Sequence, residues 1–560
     1  MSALFKFIRW RAKYTRLEVI GSLILISLFI NIFSINRLFQ CSSSVTTVSS
    51  ELKTLEIHLN TKPTSTIERS KKALENLKIL LNSVLSANDQ PWIWSPSAQY
   101  PSVPYQPTSL LNQKIPKAIN AKSIAPQVVQ DEINRVCRRL TSVNSTGGQI
   151  WCQLFTKCYA DTLATTASLL DDNTTYIITG DIDLMWLRDS SAQVHQYMTL
   201  SHDKDIQRII EGLIRRQTQF IFANPYGSSF RLTLRANPPS DDSLQPVHVQ
   251  KGRNMRVAMH NYELDSLCYF LRLSYTWWKQ TQRTDAFDRQ WLLAVSIIVQ
   301  VMIVEQHHSE ISPYRYTELG NSYQGSRVSY TGMTWSAFRP SDDQTKFGYL
   351  IPSNMMAAVV LKQVTEMIKT IFPDQTELVK QIDQLHADIL SGIHTYGVVQ
   401  HATYGKIYAY ETDGFSSPLL LDDANVPSLL SGAYLGFKTT YDPNDQILAS
   451  TRKFVLSTDN SLFFQGEYAS GIGSHHTQAQ YVWPMAIIME GFTNHSQANL
   501  DSVWKRLEAS HAGTFAMHES FDVNNPKQFT RTWFAWVNSL FAELVLAHLD
   551  KLENWLNYRR

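Results

Sequence analysis

"SNMMAAVVLKQVTEMIKTIF", residues 353–372, sets Met356, Val359, Val360, Val364, Met367 and Ile368 three and four positions apart. That spacing gathers them on one face of a helix. Pro352 and Ser353 suit its first turn. "TWFAWVNSLFAELVLAHL", residues 532–549, repeats the pattern through Trp533, Val537, Leu540, Phe541 and Leu544. "DIQRIIEGLIRRQTQFIF" (205–222) and "NYELDSLCYFLRLSYTWW" (261–278) read the same way. Strand-like stretches are few and short, such as "KIYAYETDG" at 406–414. No βαβ alternation, G-x-G-x-x-G or P-loop pattern appears. The class is mainly α, with helix pairs from residue 119 onward able to close into a toroid.

The chain is 560 residues long, which exceeds one ordinary domain. Its 51 basic and 49 acidic residues nearly balance, so charge makes no whole-chain case for nucleic acid. Fourteen Trp residues fit either a large core or a sugar site, where flat rings pack on sugar faces. The five Cys (41, 137, 152, 158 and 268) form no paired zinc-ligand pattern. Cys152 and Cys158 are close enough in sequence for a local link, though pairing is not readable from spacing.

The N-terminus reads as a membrane signal. Lys6, Arg9, Arg11, Lys13 and Arg16 precede an apolar run from Val19 to Ile35. About 17 residues is the short end of a spanning helix; a cleaved signal peptide would have a shorter apolar core. The basic flank keeps residues 1–16 cytosolic, with 17–36 as anchor. The rest then faces the secretory lumen, and a short span suits the thinner early membranes; the Golgi is preferred over the endoplasmic reticulum, which the span does not separate from it. Sequons at Asn144, Asn173 and Asn494 agree with a lumenal body. Residues 37–118 read as a stem and Pro-rich linker. Within it, Ile67, Leu74 and Leu81 keep heptad spacing, which predicts a short solvated amphipathic helix. Together with Cys41 it offers a route to a stem-mediated dimer.

Polar clusters sit between the helical stretches. "TGDIDLMWLRDSSAQ" carries Asp181, Asp183, Trp186, Arg188 and Asp189. "TWSAFRPSDDQTKFGYLIPSN" carries Arg339, Asp342 and Asp343. Further clusters hold Asp413, then His476 and Gln478, then Glu519 and Arg531. Each alone is explained by helix caps and ion pairs. Together they describe one rim of loops. Paired carboxylates supply the acid and base of glycoside hydrolysis, Arg and Asp clamp sugar hydroxyls, and Trp makes an apolar floor. No G-x-S-x-G elbow or H-E-x-x-H motif favours a serine or metal hydrolase. His307 and His308 are expected at the surface.

These motifs in order, with "NYELDSLCY", "WSAFRPSDD", "ETDGFSSPLLLDDANVPSLLS", "HTQAQYVWPM" and "MHESF…FTRTWFAW", resemble glycoside hydrolase family 125. The likeness covers about residues 120–555, and the domain is set at 119–560. The resemblance implies an (α/α)6 barrel and an exo-acting α-1,6-mannosidase that inverts configuration without metal or other cofactor. It implies Glu519 as general base and Asp342 or Asp343 as general acid, the two left open. One of that adjacent pair is expected to stay protonated beside its neighbour's charge, while the other orients Arg339 or caps a turn. Asp183, Trp186, Arg188 and Asp189 are expected to hold the terminal mannose. Tyr262, Glu263, Arg339, Asp413, His476, Gln478 and Arg531 are expected to contact sugar around it. The implied partner is an α-1,6-mannose-terminated N-glycan or mannan. A glycan-binding protein without catalysis, a calcium-dependent α-mannosidase on a similar barrel, and a stem-anchored mannosyltransferase are the rivals; "DID" at 181–183 spells the transferase motif but sits inside the hydrolase-like one.

Overall fold

All but the last residue of the stretch at 353–372 lies in one helix, Ile351–Ile371, with Pro352 in its first turn. Met356, Val360, Val364, Met367 and Ile368 are buried and Val359 is half-buried. Met355, Ala357, Ala358 and Leu361 are buried too. A helix apolar on most sides belongs to the inner layer of a layered domain. The computed structural model describes residues 65–84, 125–232, 257–316 and 318–559. Arg69–Arg560 forms one compact unit.

Among the described residues the chain is mainly helical, and its helices alternate between an inner and an outer layer. Leu187–Ala192, Leu264–Thr281, Ile351–Ile371, the short turn Leu430–Gly432, Pro484–Thr493 and Ala535–Ala547 each pack on the next, and the last returns to the first. Behind them lie Lys204–Ala223, Arg289–Glu305, Thr376–Tyr396, Gln446–Val455, Gln497–Ser510 and Ser145–Asp161, each against its inner partner. This closed alternation is consistent with the expected (α/α)6 barrel. Trp533, expected on the last inner helix, lies before its start.

Short antiparallel ladders stand just ahead of the inner helices. Met185–Trp186 pairs with Ser229–Phe230, which pairs with Val257–Met259. Tyr349–Leu350 pairs with Glu411–Thr412, and Tyr481–Val482 with Ser520–Asp522. Backbone groups that enter a helix need partners. These ladders supply them and hold the connecting loops at the inner helices' N-terminal ends.

Three features depart from expectation. The helix Ser65–Val84 is not a free stem element: Ala73, Leu77 and Leu81 are buried, and Ser70 donates to the Ile303 carbonyl at 2.7 Å. Arg69 pairs with Asp388 and donates to Gln306. Cys137 and Cys152 are the linked pair, joining Gln127–Val143 to Ser145–Asp161, while Cys158 is free and buried. His307 and His308 are both buried; His308 bonds Glu305 at 2.6 Å and stacks on Trp335. The buried Glu305 carboxylate gives the His308 imidazole a reason to be inside.

Among the described residues no helix is long and apolar enough to cross a membrane. The expected tail (1–16), anchor (17–36), Cys41 and most of the stem and linker lie outside the described residues.

Candidate active site

The loop 339–343 is built for one outward carboxylate. Its ends close through Arg339 N–H to the Asp343 carbonyl (2.8 Å) and Asp342 N–H to the Arg339 carbonyl (2.9 Å). Asp342 adopts φ +66°, a left-handed conformation that Asp tolerates better than most residues. The turn separates the two neighbours. Asp342 lines a cavity of about 500 Å³. Asp343 stays off its wall; its Oδ2 accepts from Ser341 at 2.8 Å and its Oδ1 faces His476 Nδ1 at 3.9 Å.

The loop rests on a rigid base. Arg339 Nε donates to Glu411 Oε1 at 2.6 Å, and Glu411 Oε2 accepts from the N–H groups of Lys346 (2.7 Å) and Phe347 (2.9 Å). Both side chains are buried, so Arg339 braces the loop and does not reach the cavity. Tyr262 is also buried, packed with Tyr226, Tyr314 and Trp335. Its carbonyl accepts from Ala337 and Phe338.

Glu519 reaches the same cavity from the position just before the strand Ser520–Asp522. Its neighbour His518 is wedged on Phe529, with ring centroids 3.6 Å apart, and Nδ1 lies 3.0 Å from the Arg531 carbonyl. Arg531 Nη1 stands 3.6 Å from Glu519 Oε1, and the same guanidinium donates to Asp181. Gly180 makes this possible. It has φ +135°, and a Cβ there would sit 2.5 Å from the Trp533 carbonyl. Only a residue without a side chain lets the two loops approach that closely.

Trp186, Arg188 and Asp189 complete the wall at the start of Leu187–Ala192. Arg188 is buried and surrounded by carboxylates: Asp189 at 2.9 Å, Glu263 at 3.1 Å, Asp265 at 3.2 Å and Asp342 at 3.3 Å. Four carboxyls around one guanidinium cannot all stay ionised out of water. Burial accordingly raises the Asp189 carboxyl and pushes Asp265 up to about 6, with Arg188 opposing both. Across the cavity, His476 is pushed up to about 9 chiefly by the Asp343 carboxylate that faces it at 3.9 Å, against burial and with help from the Asp342 and Glu519 charges. Burial works to raise Asp343, yet His476 and Ser341 together hold it below the usual carboxylate range.

The structure therefore brings together Trp186, Arg188, Asp189, Asp342, His476, Glu519 and Arg531 of the expected site. It sets others apart. Asp183 is exposed beside the cavity residues Ile182 and Leu184. Gln478 is exposed on a turn and is not on the wall. Asp413 accepts from the N–H groups of Phe415 and Ser417 and so caps its own loop. Glu263 stands behind Arg188 and is fully shielded. Met259, Asn425, Trp483 and Phe534 line the cavity without having been expected. Asn425 sat in a quoted motif as "DDAN"; the apolar three looked like core.

Of the sequons, Asn173 is exposed in a tight turn with φ +60°. Asn494 is half-buried and its Oδ1 accepts from Ser496. Asn144 is engaged at both ends of its amide: Oδ1 accepts from Gly147 N–H at 2.8 Å and Nδ2 donates to the Leu556 carbonyl at 3.1 Å. It serves as a helix cap.

Among the described residues no group of three or more His, Cys, Asp or Glu side chains is arranged to hold a metal ion. The Arg188 cluster meets its carboxylates with a guanidinium instead.

Comparison with known proteins shows the family. The family described as "Metal-independent alpha-mannosidase (GH125)" matches residues 149–546. The Meiotically up-regulated gene 157 protein of Schizosaccharomyces pombe is 36% identical over 425 residues, which is 71% of this chain and 82% of that protein. A metal-independent alpha mannosidase of Streptococcus pneumoniae, solved as a non-productive complex with alpha-1,6-mannobiose, superimposes with a TM-score of 0.69 at 38% identity. That match covers 76% of this chain and 99% of the bacterial one. With the family spanning most of the folded body and a relative this similar, the chain belongs to glycoside hydrolase family GH125, the metal-independent α-mannosidases.

Proposed function

We propose that this enzyme releases terminal α-1,6-linked mannose from N-glycans or mannan, with Asp342 as general acid and Glu519 as general base. One observation carries the reading: two carboxylates far apart in the chain line one sugar-sized cavity together with Arg188, Trp186 and His476. In this scheme Asp342 protonates the departing glycosidic oxygen. Glu519 takes a proton from a water that attacks the anomeric carbon from the opposite face. The attack needs the carboxyls about 6.5–9.5 Å apart, with room for the water between them. Arg531 beside Glu519 keeps the base oriented, and Trp186 and Trp483 offer apolar faces to the sugar ring. Asp343 is the weaker candidate for the acid, because Ser341 and His476 favour its ionised form. The closed helical alternation supports the (α/α)6 barrel.

The linkage comes from the bacterial relative's ligand, alpha-1,6-mannobiose. The Cys137–Cys152 bridge supports an oxidising, lumenal setting. With the apolar run at 17–36 it supports a type II anchored enzyme of the secretory pathway, placed in the Golgi. A stem-mediated dimer would rest on Cys41, since the heptad residues Leu74 and Leu81 face the body of their own chain.

Separate Asp342→Asn and Asp343→Asn variants, assayed on α-1,6-mannobiose and on an aryl α-mannoside with an activated leaving group, test the assignment. Asp342→Asn is expected to lose about 10²–10⁴ in rate on the disaccharide and far less on the aryl substrate. The same selective loss in Asp343→Asn would reverse the assignment.

A further inference from the structure

Glu263 was expected to touch sugar, and instead lies 1% exposed behind Arg188. Its Oε2 accepts from Arg188 Nη2 (3.1 Å) and from Ser266 Oγ (2.9 Å). The same Arg188 nitrogen, which carries two hydrogens, reaches Asp342 Oδ1 at 3.3 Å, so one guanidinium nitrogen serves both carboxyls. Glu263 Oε1 is buried and receives no hydrogen bond from any described N–H or O–H group. The Asp342 carboxyl is thus the second acceptor of that guanidinium nitrogen, and the two carboxyls are neighbours on Arg188. Arg188 neutralises one negative charge, and with Asp189 and Asp265 on it as well, a proton held among these carboxyls relieves their repulsion.

We propose that Glu263 and Asp342 share a single proton, and that Glu263 is the positioning residue that keeps this proton available to the catalytic acid at neutral pH. The proposal rests on Asp342 being that acid. The groups facing Glu263 all bear on it: Arg188 and Asp189 from Leu187–Ala192, Asp265 on its own helix, Asp342 from the 339–343 loop, and Tyr314. Burial drives the Glu263 carboxyl well above its ordinary range; Arg188 pulls it back, and Asp342 and Asp265 push it further up.

The step balances simply. The Asp342 O–H bond breaks as its proton passes to the glycosidic oxygen, which keeps the electron pair of the broken bond to the anomeric carbon. The pair is left as two carboxylates against one guanidinium, the least favourable charge state of a buried cluster. It therefore takes a proton back from solvent, and Glu519 returns to solvent the proton it took from the attacking water. One water is consumed and no proton is gained or lost.

The test compares pH profiles of kcat/KM for wild type, Glu263→Gln and Asp342→Asn on α-1,6-mannobiose and an activated aryl α-mannoside. In Glu263→Gln the amide N–H steadies ionised Asp342, so the acid loses its proton earlier. The basic limb on the disaccharide is expected to fall by about one pH unit or more, with a neutral-pH loss of about tenfold, and the aryl substrate is expected to be much less affected. Ser266→Ala removes a donor that steadies ionised Glu263, and is expected to move the limb the other way; it also serves if Glu263→Gln does not fold. Unmoved basic limbs, or equal losses on both substrates at every pH, would overturn the shared proton and leave Glu263 as a counter-ion of Arg188. Equal losses on both substrates in Asp342→Asn would instead overturn the acid assignment beneath it.

Discussion

Asp342 and Asp343 share a sequence neighbourhood and little else. The left-handed turn at Asp342 sends one carboxylate into the cavity and leaves the other beside His476. The His476–Asp343 pair has a definite pH signature. His476 titrates higher in the folded protein, at about 9, than the ordinary value of about 6.5. Its contribution to stability is thus fully present below about 6.5 and is lost as pH rises through about 9. Asp343 is depressed, so its contribution is present above the ordinary carboxylate range and is lost on acidification. Asp343→Asn is expected to bring the His476 titration down toward about 6.5, read from its ring proton shifts by NMR; an unchanged titration would remove the pair. Glu519→Gln keeps shape but accepts no proton. It is expected to lower kcat by about 10²–10⁴ with little change in KM, and near-normal turnover would remove Glu519 as the base.

Elements matter here chiefly by what they hold still. The disulfide joins the outer helix Ser145–Asp161 to Gln127–Val143, which packs against it, across 15 residues of sequence. Closing a loop of that size is worth about 3 kcal/mol, mostly by restricting the unfolded chain. The double variant Cys137→Ala/Cys152→Ala is expected to lose about that much in denaturant unfolding while keeping kcat; no loss would mean the thiols are not paired in the purified protein. Ser65–Val84 uses Leu77, fully buried, as its central contact. Leu77→Ala is expected to weaken the docking by about 2–5 kcal/mol and to speed hydrogen exchange across residues 69–84 more than in the inner helices. Uniform exchange changes throughout the body would contradict local docking.

At the scale of the whole molecule, the inner helices were legible because their apolar spacing repeats through long stretches such as 353–372. The site was legible as a set of loops because Trp, Arg and carboxylates crowd the positions just before those helices. Other features were not legible. Arg339 looks like a ligand clamp in sequence, yet a buried ion pair that braces a loop, here with Glu411, uses the same residue types. Met259, Trp483 and Phe534 looked like core because apolar cavity walls and packed interiors share composition. The Asp342 conformation, the Cys137 partner and the burial of His308 against Glu305 are tertiary outcomes with no local pattern. The account as a whole depends on Asp342 and Glu519 acting on one sugar from opposite faces. Proton NMR of α-1,6-mannobiose during its first minutes with the wild-type enzyme tests this most directly. Release of β-mannose first, before mutarotation, with no such signal from Glu519→Gln, is the predicted result. Release of α-mannose first, or unchanged turnover in that variant, would contradict it.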